Sequence, residues 1–134
     1  MILIDTHVLV RYATDDHNLG KRARVEIDRS RSKDQAFVSA ITYWELAMLV
    51  AHRRIELEIT VAAFRDQVLD IGISELPIDG DIAISAAELP DQHKDPADRL
   101  LVATAMANGL TLLTADKVLL GWKLRGLRAR DATD

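Results

Sequence analysis

The sequence predicts an α/β fold, with a mainly parallel central sheet flanked by helices. Three observations lead there. Short apolar runs at residues 2–4, 36–39, 73–77 and 110–114 alternate with longer helix-like stretches, the order that builds parallel sheets. Pro96 and Gly109 bracket one such stretch, proline at its first helical position and glycine just past its end. No internal repeat, low-complexity segment or linker divides the 134 residues, so they are expected to form one domain, residues 1–134, with a real core.

Each element has its own signal. "ILI" (2–4) is an apolar run that ends at Asp5 and reads as a buried strand. A short helix comes next over 6–14, with Asp5 or Thr6 at its start. Residues 20–33 read as a polar helix. "AFVS" (36–39) is the second strand, and Ser39 is placed to cap the next helix. Residues 40–53 form that helix, which is apolar nearly all the way round, and such helices are expected to be buried. Residues 60–71 form another, ended by Gly72. "ISELP" (73–77) is the third strand, followed by helices over 79–88 and 96–108. "LTLLT" (110–114) is the fourth strand. A short helix after Ala115 and an edge strand near 127–130 complete the chain.

Composition narrows the function classes. There is no cysteine, which removes disulfides, thiolate zinc sites and cysteine nucleophiles and fits a reducing compartment. The apolar stretches at 100–107 and 47–51 fall far short of the ~20 residues a bilayer span needs. The N-terminus lacks the basic region of a signal peptide. The expectation is a cytoplasmic protein with no membrane contact. Seventeen Lys and Arg against 21 Asp and Glu give a net charge of -4, which argues against coating nucleic acid by bulk charge. A local basic rim remains open. The basic clusters at 21–33, 53–54 and 123–130 read as solvated helix faces or tail.

The acids carry more information. Asp5 directly follows the first strand, and its ordinary reading is a helix N-cap. Asp116, one residue beyond "LTLLT", has the same ordinary reading. Asp95 and Asp98 flank the start of the helix at Pro96 as a capping-box-like pair, both charges suiting the positive end of the helix dipole. The cap needs only Asp95. Asp98 shares a helix face with Leu101, Val102 and Ala105, the face that looks at the sheet. Glu45 lies in the middle of the apolar helix, with Ile41, Thr42, Met48 and Leu49 one turn away and no cation to pair with. An unpaired buried carboxylate is costly, so Glu45 either reaches solvent beside Trp44 or faces a cation supplied from elsewhere.

Taken together these acids converge. Asp5 and Asp116 end two strands of one parallel sheet, at the edge where open α/β folds bind ligands. Asp98 begins a helix at that same edge, and Glu45 can lean over it. Three or four carboxylates there repel one another unless a cation neutralises them. Oxygen donors without thiolate or imidazole suit Mg²⁺ or Mn²⁺. The natural chemistry of such a site is phosphodiester hydrolysis.

"LIDTHVLV", "SAITYWELA", "LPDQHKDPADRLLVATA" and "LTLLTADKVL" resemble the four motifs of PIN-domain nucleases, in order and at comparable spacing over nearly the whole chain. The likeness is closest to small PIN proteins of the VapC-like toxin type. It implies a PIN-like α/β/α sandwich and a Mg²⁺- or Mn²⁺-dependent ribonuclease. Asp5, Glu45, Asp98 and Asp116 fall on the family's acidic positions. By that resemblance Asp5 and Asp98 are direct metal ligands, while Glu45 and Asp116 complete the pocket and position water or a second ion. Thr6 and Thr114 fall where small hydroxyl residues support the site. Asp95 is not among the catalytic positions. The resemblance also implies a cognate antitoxin protein as partner and a homodimer, with the segment around Tyr43 and Trp44 available to either contact or to the core. Two departures stand out: Ala97 where many relatives carry an aromatic, and "RRIELE" (53–58) where they often carry a Gly-Lys pair. Neither removes an acid.

Other chemistries find less support. His7, His17, His52 and His93 are scattered and form no His-x-x-x-His zinc pair. His93 reads as a loop histidine or a substrate contact. Gly20 and Gly72 stand alone, so there is no phosphate-binding loop, and Ser39 and Ser74 lack a nucleophile-elbow context. A dehalogenase-like phosphatase needs an aspartate where this chain has His7. A receiver domain needs an acidic pair beside the first strand, whereas Asp15 and Asp16 lie a helix away. The remaining alternative is a PIN-like module that binds partners without catalysis.

Overall fold

A computed structural model describes residues 1–91 and 93–134. Its elements, in chain order, are β1 (Ile2–Ile4), α1 (Thr6–Ala13), α2 (Lys21–Ser32), β2 (Ala36–Ser39), α3 (Ile41–Ala51), α4 (Val61–Asp70), β3 (Ser74–Leu76), α5 (Gly80–Glu88), α6 (Pro96–Ala107), β4 (Thr111–Thr114), α7 (Lys117–Gly121) and β5 (Arg128–Asp131). The five strands form one sheet in the order β3-β2-β1-β4-β5, and every pairing is parallel. This is the α/β/α arrangement expected from the alternating pattern, and the strand near 127–130 is indeed at an edge.

Alternation along β1 explains the two layers. Ile2 and Ile4 turn to one face and join Val8 and Leu9 of α1, Ile27 of α2, Leu46 of α3 and Phe64 of α4. Leu3 turns to the other face and joins Leu101, Val102 and Ala105 of α6, with Leu119 and Trp122. Leu113 and Leu112 on β4 divide in the same way. Central parallel strands covered on both faces must be apolar on both, which is why "ILI" and "TLLT" are continuous runs. Each Leu or Ile fully buried here contributes roughly 1.5–3 kcal/mol relative to exposure. The β5 edge presents Arg128 and Arg130, charges that discourage pairing with another chain.

Aspartate and threonine caps start most of the helices. Thr60 accepts from the Ala63 N–H, Asp79 from Ile82, Asp95 from Ala97, and Asp116 from Val118. Ser39 acts one position early: Ala40 holds the cap position in helical geometry, and the Ser39 hydroxyl accepts from the Ile41 N–H at 3.2 Å. Gly72 and Gly109 end α4 and α6 with positive φ, as expected of glycine at helix C-termini. The "RRIELE" departure has a backbone consequence. Arg53 has φ 57°, a left-handed conformation in which glycine is unstrained and arginine is not.

The burial expected of residues 40–53 is not what the fold provides. Only Thr42 and Leu46 of α3 are buried, while Trp44 and Met48 are 56 % and 39 % exposed. The helix packs one stripe against the core, and nothing among the described residues fully covers the opposite stripe. Tyr43 is half-buried and packs against the core, so the two neighbouring aromatics separate.

Candidate active site

The carboxyl edge of β1 and β4 holds two of the acids. The Asp5 N–H extends the ladder by donating to the Leu113 carbonyl at 3.0 Å. Its side chain, 5 % exposed, is fixed at both oxygens: Oδ1 accepts the Thr6 N–H at 2.7 Å, and Oδ2 accepts the Thr114 hydroxyl at 2.6 Å. That hydroxyl also accepts the Asp116 N–H at 3.0 Å, so one buried threonine ties two acids together. The Asp116 carboxylate caps α7 through the N–H groups of Val118 and Leu119. The ordinary reading of Asp116 as a cap is therefore fulfilled, and its charge still reaches Asp5. Behind them the Thr6 hydroxyl donates to Thr42 Oγ1 at 3.1 Å, joining α1 to α3 under the site.

Glu45 and Asp98 approach from the helices. Glu45 is half-buried on α3, and burial raises its pKa; the Thr6 side chain opposes this, and the charges of Asp5 and Asp95 add to it. Asp98 sits in the first turn of α6, its side chain 13 % exposed. Burial, with the charges of Asp95, Asp5 and Glu45, pushes its pKa up to about 6 against a hydrogen bond from His93. Burial likewise raises Asp5, helped by the charge of Asp116. The fold therefore brings Asp5, Glu45 and Asp98 into mutual repulsion, with Asp116 beside Asp5. Among the described residues none of these four pairs with a lysine or arginine.

Other expectations sort cleanly. Asp95 is the cap of α6, accepting from Ala97 and Asp98 N–H. The reciprocal half of the capping box is not made: Asp98 turns instead to His93 Nε2, at 2.7 Å. His93 is thus neither a plain loop histidine nor turned to solvent. A cleft of about 260 Å³ opens at this edge, lined by Asp5, His7, Arg11, Ala115 and Asp116. Arg11 supplies the positive charge lining that cleft, rather than the three basic clusters seen in the sequence. Thr42 and Arg11 were not legible as site residues, because Thr6, which meets Thr42, and Ala115 and Asp116, which line the cleft with Arg11, lie far away in sequence. The one local signal was His93, five positions before Asp98 on the loop leading to a helix N-terminus. Ala97, the position of the missing aromatic, is buried at 6 % exposure.

The fold and this edge define an α/β protein with a cluster of acids at the carboxyl ends of parallel strands. The PIN domain family matches residues 2–120, and the chain belongs to that family. Ribonuclease VapC22 of Mycobacterium tuberculosis is 34 % identical over 117 residues, 87 % of this chain and 87 % of that protein. Among solved structures, VapBC2 from Rickettsia felis bound to a DNA fragment from their promoter superposes with a TM-score of 0.71 at 16 % identity, covering 98 % of each chain. DNA-bound VapBC from Salmonella typhimurium does so with a TM-score of 0.67 at 20 % identity, again covering 98 % of each. The expected PIN-like fold is borne out. PIN-domain VapC ribonucleases are generally dependent on divalent metal.

Proposed function

We propose that this chain is a Mg²⁺- or Mn²⁺-dependent endoribonuclease that acts in the cytoplasm as the toxin of a toxin–antitoxin pair. The observation that carries the reading is the cluster of Asp5, Glu45 and Asp98, buried or half-buried, mutually repelling and, among the described residues, without a lysine or arginine partner. The likeness to a ribonuclease over most of both chains supports the substrate class.

The residues fit a hard divalent cation. All four acids offer oxygen, the donor such ions prefer, and the cost of gathering them falls once a cation neutralises them. No three His, Asp or Glu side chains among the described residues already stand close enough to hold an ion, so binding requires the acids to draw together. A divalent ion bound there supplies an activated water and neutralises the scissile phosphate. Asp5, fixed by Thr6 and Thr114, and Asp98 hold it from the sheet edge and from α6. Glu45 and Asp116 complete the pocket and orient water or a second ion. Arg11 at the cleft rim offers positive charge to the RNA backbone, and the His7 ring offers a hydrogen bond.

The proposed protein partners are a cognate antitoxin and a second copy of this chain. Trp44 and Met48 supply exposed apolar area for such contacts. Inducible expression of the wild type and of Asp98→Asn, followed by mapping of new 5′ RNA ends, tests the reading. New ends and growth arrest with wild type alone are expected. Matching end maps from two soluble, abundant proteins would favour the non-catalytic interaction module instead.

A further inference from the structure

Arg99, next to Asp98, makes an unusual set of contacts. Its Nε donates to the Ala86 carbonyl at 3.0 Å. Nη1 donates to Pro90 at 2.9 Å and His93 at 2.8 Å, and Nη2 donates to Ala87 at 3.1 Å and to Leu89. A guanidinium has five N–H donors, and this one commits them to five backbone carbonyls and to no carboxylate. Three of those carbonyls close the C-terminal end of α5, where orphan acceptors favour a cation. The other two lie beyond the helix, and the last belongs to His93. That residue is therefore gripped twice by the first turn of α6: Arg99 holds its carbonyl, and Asp98 Oδ2 holds its ring nitrogen at 2.7 Å. Its ring also packs on Trp122, with centroids 5.4 Å apart and planes at 56°.

We propose that Arg99 and His93 act as positioning residues for Asp98: Arg99 fixes the chain between α5 and α6, and His93, so placed, fixes the Asp98 carboxylate for the divalent ion. The inference rests on the metal-dependent reading above. His93 engages one carboxylate oxygen and thereby sets the side-chain rotamer, leaving the other oxygen for the ion. Hydrogen-bonded supports of this kind typically change metal affinity 10–100-fold. The role belongs to the shape of arginine rather than to its charge, because every acceptor is neutral and lysine has no planar fork.

Calorimetric titration of the full chain with Mn²⁺ at neutral pH, with amide hydrogen exchange of the segment before α6, tests the pair. His93→Ala is expected to bind Mn²⁺ about 10-fold more weakly, and His93→Gln, which keeps a donor, to recover most of that loss. Arg99→Lys is expected to weaken Mn²⁺ binding similarly and to speed exchange in that segment although the charge is kept. Should Arg99→Lys fail to fold, the two His93 variants decide. Wild-type affinity in folded His93→Ala, with binding lost in Asp98→Asn, overturns the positioning role and leaves the nuclease reading intact. Wild-type protein that takes up no Mn²⁺ overturns both.

Discussion

The two acids assigned to the ion are held in contrasting ways. Asp5 continues β1, and its partners, the Thr6 N–H and the Thr114 hydroxyl, belong to the hydrogen-bonded frame of the sheet. Asp98 stands on the first turn of α6, and its partner is a loop histidine held by the arginine next to it. One half of the site is as rigid as the core behind it. The other half depends on the hydrogen bonds that Arg99 makes to the backbone at the end of α5 and beyond. An acid site can thus be held half by the sheet and half by side chains, and the two halves should respond differently to perturbation.

The largest effect expected is common to both halves. Asp5→Asn and Asp98→Asn each lower RNA cleavage by at least ~100-fold, the loss typical of removing one charge-stabilising group, while circular dichroism shows a folded protein. The next effect separates protonation states. The Asp98 pKa rises from 3.8 unfolded to about 6 folded, so the folded protein binds more protons between those values. The contribution of Asp98 to the stability of the metal-free chain is then fully present below about pH 4 and is lost as pH rises toward 6, a fall of no more than about 3 kcal/mol. Asp5 and Glu45 shift in the same direction. Urea denaturation in chelator should show the fall, Asp98→Asn should flatten it, and Mn²⁺ should offset it. A wild-type stability that gains on Asp98→Asn from pH 4 to 6 would contradict the raised Asp98 pKa.

Smaller effects sharpen the contrast. Thr114→Val removes the donor to Asp5 and the acceptor of the Asp116 N–H together, at a cost on the order of 1–3 kcal/mol for groups left unpaired. Thermal melts and Mn²⁺ affinity should both drop, because in the sheet half support and scaffold are the same atoms. Asp95→Asn should change least, about twofold or less in cleavage rate, since asparagine caps as aspartate does. A loss matching that of Asp98→Asn would make Asp95 a ligand rather than a cap.

The same contrast explains what the sequence disclosed. Apolar runs broken by helical stretches marked four of the five strands, most plainly β1 and β4, which are covered on both faces and leave no polar alternation to confuse the reading. Asp5 and Asp116 were visible because an acid directly after a buried strand must lie at the ligand edge. Asp98 was visible because Asp95 already satisfied the cap. The supports of the helix half were hidden: Arg99 acts through carbonyls, and no side-chain pattern marks a carbonyl acceptor. The α3 helix misled for a related reason. Apolar composition states that a face prefers to be covered, not that this chain covers it, and Trp44 stands in solvent.

The most direct test of the account incubates purified wild type and Asp5→Asn with RNA in Mn²⁺, in Mg²⁺ and in chelator, and measures cleavage over time. The account predicts cleavage by the wild type with either ion, none in chelator, and none by Asp5→Asn under any condition. Undiminished cleavage in chelator, or by folded Asp5→Asn, would contradict a carboxylate-held metal ion as the seat of the activity.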